Sequence, residues 1–189
     1  TGTMTLASST INTELTNNGT LNIKDTSTVD SLINTNTTNI NGNITVNDIN
    51  NTGDIFLTGE TALTSIIHGV GNISTSTNAT KTDITKTTIT NGVFNLTNGE
   101  LVFATNTFKS IDEANFTSGI VNLQDNLTKE YNINKFIVNA NTNFNLDVNI
   151  LSSTSGTIDN FTVGEGSTGT ITLTGLTGLE RDSIGIADK

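Results

Sequence analysis

Along this chain a small polar residue, a glycine, any residue, an apolar residue, a spacer and a second apolar residue recur as a unit. Asn18-Gly19-Thr20-Leu21-Asn22-Ile23 shows it, as do Asn41-Gly42-Asn43-Ile44-Thr45-Val46 and Thr52-Gly53-Asp54-Ile55-Phe56-Leu57. Further copies start at Asn91, Asn98, Ser118 and Thr168. A turn followed by a short strand with alternating apolar positions, repeated along a sequence, predicts a β-solenoid. The glycines of the repeats stand at 19, 42, 53, 71, 92, 99, 119, 156 and 169, and separations near 20 recur. One coil is therefore read as roughly 20 residues in two or three strands, giving about nine coils. The expected fold is all-β: a right-handed parallel β-helix, with residues 1–189 as a single domain. A lone coil cannot bury its inward side chains, whereas stacked coils bury a continuous column and share backbone hydrogen bonds.

The alternation places Leu21, Ile23, Ile44, Val46, Ile55, Leu57, Leu96, Leu101, Phe103, Leu123, Leu146, Val148, Ile171 and Leu173 inward. Outward positions fall to Thr, Asn, Ser and Asp, and stacked Asn side chains at the turns are expected to form amide ladders. The chain has no proline, which suits coils whose interior N–H groups are all paired. The stretch 62–90 reads as a loosely packed coil or a protruding loop. From Asn72 to Thr90 its only large apolar residues are Ile73, Ile84 and Ile89. Residues 109–116, with Ser110 as cap and Glu113 three residues on, are the best candidate for a helical turn.

Composition sharpens this picture. Of 189 residues, 39 are Thr and 29 are Asn, types that suit pleated surfaces and tight turns. Lys and Arg total 8 against 18 Asp and Glu, a net charge of −10 without clustered cations. Nucleic acid is therefore not an expected partner, and an anionic membrane surface is disfavoured for the same reason. The absence of cysteine removes disulfides and thiolate metal sites. The first residue is not Met, and the sequence stops just after the apolar pair Ile184 and Ile186. It is read as a piece of a longer solenoid.

Phe144-Asn145-Leu146-Asp147-Val148-Asn149-Ile150, Thr157-Ile158-Asp159-Asn160-Phe161-Thr162-Val163 and Gly169-Thr170-Ile171-Thr172-Leu173-Thr174 carry a more specific signal. Together with the upstream glycine-led repeats, this text resembles the passenger domains of bacterial autotransporters, the type V secreted surface proteins. The resemblance implies a parallel β-helix displayed at the cell surface outside a Gram-negative cell, tethered to an outer-membrane barrel beyond this segment. It also implies a role as stem or adhesive segment, in adhesion, aggregation or biofilm formation and in virulence. The partner would be a glycan or protein on a host or neighbouring cell. End-to-end association of an isolated fragment is expected through exposed terminal coils.

Candidate chemistry is sparse. His68 is the only histidine, so neither a zinc site nor a Ser–His–Asp triad has a second imidazole or a thiolate to draw on. Asp147 with Asp159, and Asp112 with Glu113, are the carboxylate pairs a polysaccharide-cleaving β-helix enzyme would use. The chain has no Trp, one Tyr and a single Arg, Arg181, which argues against a sugar cleft or lyase. Neither an EF-hand loop nor the Gly-Gly-x-Gly-x-Asp nonapeptide of calcium-binding β-rolls occurs. Thr-x-Thr at 1–3, 75–77 and 172–174 raises an ice-binding or other surface-binding alternative, which requires the motif in register on every coil. The expected protein is thus non-catalytic, with no catalytic, cofactor or metal residues assigned.

Overall fold

A computed structural model describes residues 2–125, 127–152 and 155–171, with only the backbone of the strands over 148–158. It is a parallel β-solenoid of about seven turns, and no helix occurs among the described residues. The first coil contains β1 (Thr3–Ala7) and β2 (Thr10–Asn17). Each of the next three is a single bent strand: β3 (Thr20–Asn34), β4 (Thr37–Asn51) and β5 (Asp54–His68). Then follow β6 (Asn72–Thr75) with β7 (Lys81–Thr90), β8 (Val93–Leu96) with β9 (Glu100–Phe103), and β10 (Glu113–Phe116) with β11 (Gly119–Asn122) and β12 (Glu130–Ile133). The last turn holds β13 (Phe136–Val138), β14 (Thr142–Asn145), β15 (Val148–Ser152), β16 (Ser155–Ile158) and β17 (Asn160–Val163). Thirteen strands form one parallel sheet, β12 pairs with β17, and β15–β16 is an antiparallel hairpin.

The early coils are shorter than the glycine spacing suggests. Thr3, Thr20, Thr37 and Asp54 stack directly on one another, so these coils repeat every 17 residues. Later coils lengthen through Asn72, Val93 and Glu113, and the last turn carries the extra hairpin. The repeat glycines belong to different corners, which blurs their period. A Cβ on Gly53 would lie 2.1 Å from the Asn36 carbonyl oxygen, whereas one on Gly42, at φ +104°, would meet the Asp25 oxygen at 2.3 Å. Both corners bring backbones too close for a side chain, but they lie at separate places on the coil. The expected nine turns assumed 20 residues for every coil; about seven form, because the later coils lengthen and the last turn also carries the hairpin.

Ten of the fourteen expected inward residues are buried: Leu21, Ile23, Ile44, Val46, Ile55, Leu57, Leu96, Leu101, Phe103 and Leu123. Leu146 and Ile171 are half-buried against the same core. Leu173 and the Val148 side chain lie outside the described residues. The stretch 62–90 completes β5 and then forms β6 and β7. There Ile73, Ile84 and Ile89 point inward with the buried Thr75, Thr82 and Thr87; Thr75 lies over Leu57, whereas Thr82 and Thr87 continue the buried hydroxyls of Thr61 and Ser65. The expected helical turn over 109–116 is absent. Turns occupy 105–109 and β10 begins at Glu113. Ala114 and Phe116 alternate inward with strand periodicity, and the loop buries Phe108 and Ile111 ahead of them.

Aliphatic residues fill the short early coils, and aromatic rings fill the longer later ones. Phe116 packs against Phe94, Phe103, Phe108, Phe136 and Phe144, with ring centroids 4.8–6.3 Å apart. A wider coil encloses more volume, and rings fill it at native density with mostly edge-to-face contacts. Phe116→Ala is expected to destabilise the fold by about 3–5 kcal/mol, measured by urea unfolding followed by circular dichroism.

At one corner the expected amide ladder is present. Asn17, Asn34 and Asn51 are buried, with Asn17 Nδ2 donating to Asn34 Oδ1 and Asn34 Nδ2 to Asn51 Oδ1, both at 2.8 Å. Each amide also donates to a backbone carbonyl further along: Thr37, Asp54 and Asn72 respectively. The column then ends at Gly69, where a Cβ would lie 2.2 Å from the Asn51 carbonyl oxygen. Asn34→Asp would replace the donor with a buried carboxylate facing the Asn51 Oδ1 and two carbonyls. A loss of about 2–4 kcal/mol is expected, larger than that of Asn22→Asp on the outer face, with urea midpoints as the readout.

Candidate functional site

The buried polar cluster of the described residues lies where the last turn begins and ends its hairpin. Asp147 precedes β15 and Asp159 follows β16, and their exposures are 8% and 7%. They face each other: the Asp147 N–H donates to Asp159 Oδ2 at 3.0 Å, and the Asp159 N–H donates to the Asp147 carbonyl at 2.9 Å. Asp147 Oδ2 accepts from the N–H groups of Asp125 and Leu127, at 2.8 and 3.3 Å. Asp125 in turn is paired with Lys129, four residues on. Asp159 Oδ1 is buried and accepts no hydrogen bond.

The electrostatics follow from this geometry. Burial pushes the Asp159 carboxyl above the ordinary carboxylate range, and the charges of Asp147 and Asp125 push the same way. The hydrogen bond from Lys129 holds Asp125 below that range. Burial raises the phenol of Tyr131, and Asp159, Asp125 and Asp147 add to the effect. Tyr131 stacks on Phe161, with centroids 5.4 Å apart, and closes the apolar side of the cluster.

The structure thus joins Asp147 and Asp159, as a glycosidase pair requires, but turns their polar atoms onto backbone. Asp112 and Glu113 separate. Asp112 accepts from the Gly92 N–H at 2.8 Å, while Glu113 pairs with Lys135 and Asn115, and those donors lower its pKa. His68 lies 3.1 Å from Asp48, both about half exposed. Arg181 lies outside the described residues. Among the described residues no group of three or more His, Cys, Asp or Glu could hold a metal ion. Sequence reasoning missed Asp125, Lys129 and Tyr131. The available signals were the i, i+4 spacing of Asp125 and Lys129, and two aspartates flanking a segment, 148–158, without a single titratable residue.

Thr ranks arise where the motif did not point. Thr10, Thr28, Thr45 and Thr64 stack in one outward column. The column beside it is Thr26, Asn43, Ala62 and Asp83, so no paired flat rank of Thr forms there. In the 75–77 motif, Thr75 is buried and Thr77 exposed.

No family model matches the chain, nor does any curated protein or solved structure. Asp147→Ala, which leaves the Asp125 N–H without its acceptor while Leu127 keeps Asp125 Oδ1 at 3.0 Å, is expected to cost about 1–3 kcal/mol. Asp48→Asn, at an exposed pair, is expected to cost less than about 0.5 kcal/mol. Denaturant unfolding of the two variants side by side checks the contrast.

Proposed function

We propose that this chain is a non-catalytic structural rod, the stem or an adhesive segment of a secreted bacterial surface protein of the autotransporter type. The observation that carries the reading is the unbroken register of its first face. From Thr3 through Thr20, Thr37, Asp54, Asn72, Val93 and Glu113 each coil rests on the last, so length is added without a new core. Outward columns carry short polar side chains bonded to one another, such as Asn39 to Asn22 at 2.9 Å and Asn115 to Asn95 at 3.3 Å. Such a surface keeps a long solenoid hydrated and offers many weak polar contacts to a glycan or protein on another cell. The resemblance of residues 144–174 to autotransporter stems supports the same reading.

The competing reading is a polysaccharide-acting enzyme. Its best carboxylate pair is committed to backbone N–H groups, which favours a structural role for Asp147 and Asp159. The test displays residues 1–189 on Gram-negative cells through an outer-membrane barrel carrier. Cell–cell aggregation or attachment to host-cell monolayers above that of the carrier alone is the expected result. Turnover of pectins, alginates or host glycans by the purified chain, abolished in Asp147→Asn or Asp159→Asn, would overturn it.

A further inference from the structure

We propose that Asp147 and Asp159 form a proton-operated latch for the β15–β16 hairpin, closed when Asp159 is protonated and loosened when it is ionised. The hairpin forms a sheet of its own, antiparallel in a parallel solenoid, and among the described residues makes no ladder with the coils. Its innermost pair, Val148 with Ile158, lies directly beside the two aspartates. The reciprocal bonds between residues 147 and 159 therefore close the base of an eleven-residue insertion.

The weak point of the latch is Asp159 Oδ1, buried with no donor. Ionised, it leaves negative charge on an unsatisfied buried oxygen beside two other carboxylates; protonated, it is neutral. Among the described residues the neighbouring groups are these. Asp147 is held by the N–H groups of Asp125 and Leu127, and Asp125 is paired with Lys129. Tyr131 of β12 packs on the apolar side, and Glu130 accepts from the Thr162 hydroxyl at 2.9 Å on the exposed face. Neither the hairpin nor β17 contains a titratable residue. Lys129, the one cation of the group among the described residues, is engaged by Asp125.

The sign follows from linkage. Burial raises the folded-state pKa of Asp159, so its contribution is complete below the unfolded value and is lost as pH rises through the folded one. Asp125 behaves oppositely. Its lowered pKa means that its contribution is lost only as pH falls below the ordinary carboxylate range. The two windows therefore lie on opposite sides of the usual Asp value.

The chain has no cysteine, so Thr157→Cys carries a single nitroxide spin label on β16. Electron paramagnetic resonance is recorded from about pH 4 to about pH 8, a range spanning raised carboxyl values. The expected result is loss of the immobile component as pH rises. The same label at Thr28→Cys, on a regular coil, should show no change. Adding Asp159→Asn should keep the hairpin label immobile throughout. Adding Asp125→Asn, which removes a neighbouring negative charge, should shift the midpoint to lower pH. A hairpin label insensitive to pH, an unchanged transition in Asp159→Asn, or an unmoved midpoint in Asp125→Asn would each overturn the latch.

Discussion

Parallel in-register stacking is the constraint from which the rest of this structure follows. Each residue rests on the one that occupies its place in the previous coil, so a choice at one position is tested against its neighbours above and below. Amides suit this geometry because the same group donates upward and accepts from below. In the column Asn17, Asn34 and Asn51, each buried side chain satisfies the next and also closes a corner by bonding a backbone carbonyl. A slip of one residue would put Ile33 in place of Asn34 at the corner and bury Asn22 where Ile23 belongs, so the ladder and the apolar columns specify the same register.

The same constraint explains how an acidic chain with few cations avoids columns of repelling charge. Lys81 stands between Glu60 and Glu100 in one outward column. Elsewhere amides and hydroxyls take the place of cations. Asn47 donates to Asp30 at 3.1 Å, Asn72 to Asp54 at 3.0 Å, Asn122 to Glu100 at 3.1 Å, and the Thr85 hydroxyl to Asp83 at 2.7 Å. With 18 acids and only 8 Lys and Arg, the abundance of Asn and Thr is thus partly an electrostatic choice. Neutral donors satisfy carboxylates without the side-chain entropy that long cations lose on ordering.

The parts of this fold legible in the sequence are those governed by local pattern. Alternation such as Leu21-Asn22-Ile23 or Ile44-Thr45-Val46 placed side chains on the correct face because a strand has a period of two, whatever it packs against. The pitch was not legible, because glycine marks close approach of backbones and several corners need it; Gly42 and Gly53 look equivalent in the sequence but stand at different corners. Residues 109–116 carried a capping pattern, yet Phe108, Ile111, Ala114 and Phe116 are all needed inside, and burial outweighed the cap. The carboxylate cluster was half legible. Asp147 and Asp159 stood out by their setting, but their meeting depends on the hairpin that folds between them, and Asp125 and Tyr131 arrive from the previous coil.

That hairpin is also where the stacking rule is suspended. From β1 to β11 the strands rest on one another in a single parallel sheet, whereas among the described residues β15 and β16 pair only with each other. The chain must leave the solenoid and rejoin it at the same level, so its two exit points have to be fixed to one another. The Asp159 N–H bonded to the Asp147 carbonyl and the Asp147 N–H bonded to the Asp159 carboxylate do this, and the Asp147 carboxylate ties the junction down to the previous coil through Asp125 and Leu127. An apolar side chain at position 147 would leave the Asp125 N–H unpaired, one at 159 would do the same to the Asp147 N–H, and a cation would lack an acceptor of its own among them. A short carboxylate meets the requirement, and a second one beside it is what leaves a buried oxygen without a donor. The charge sensitivity of this junction is therefore a consequence of inserting an antiparallel element into a parallel stack.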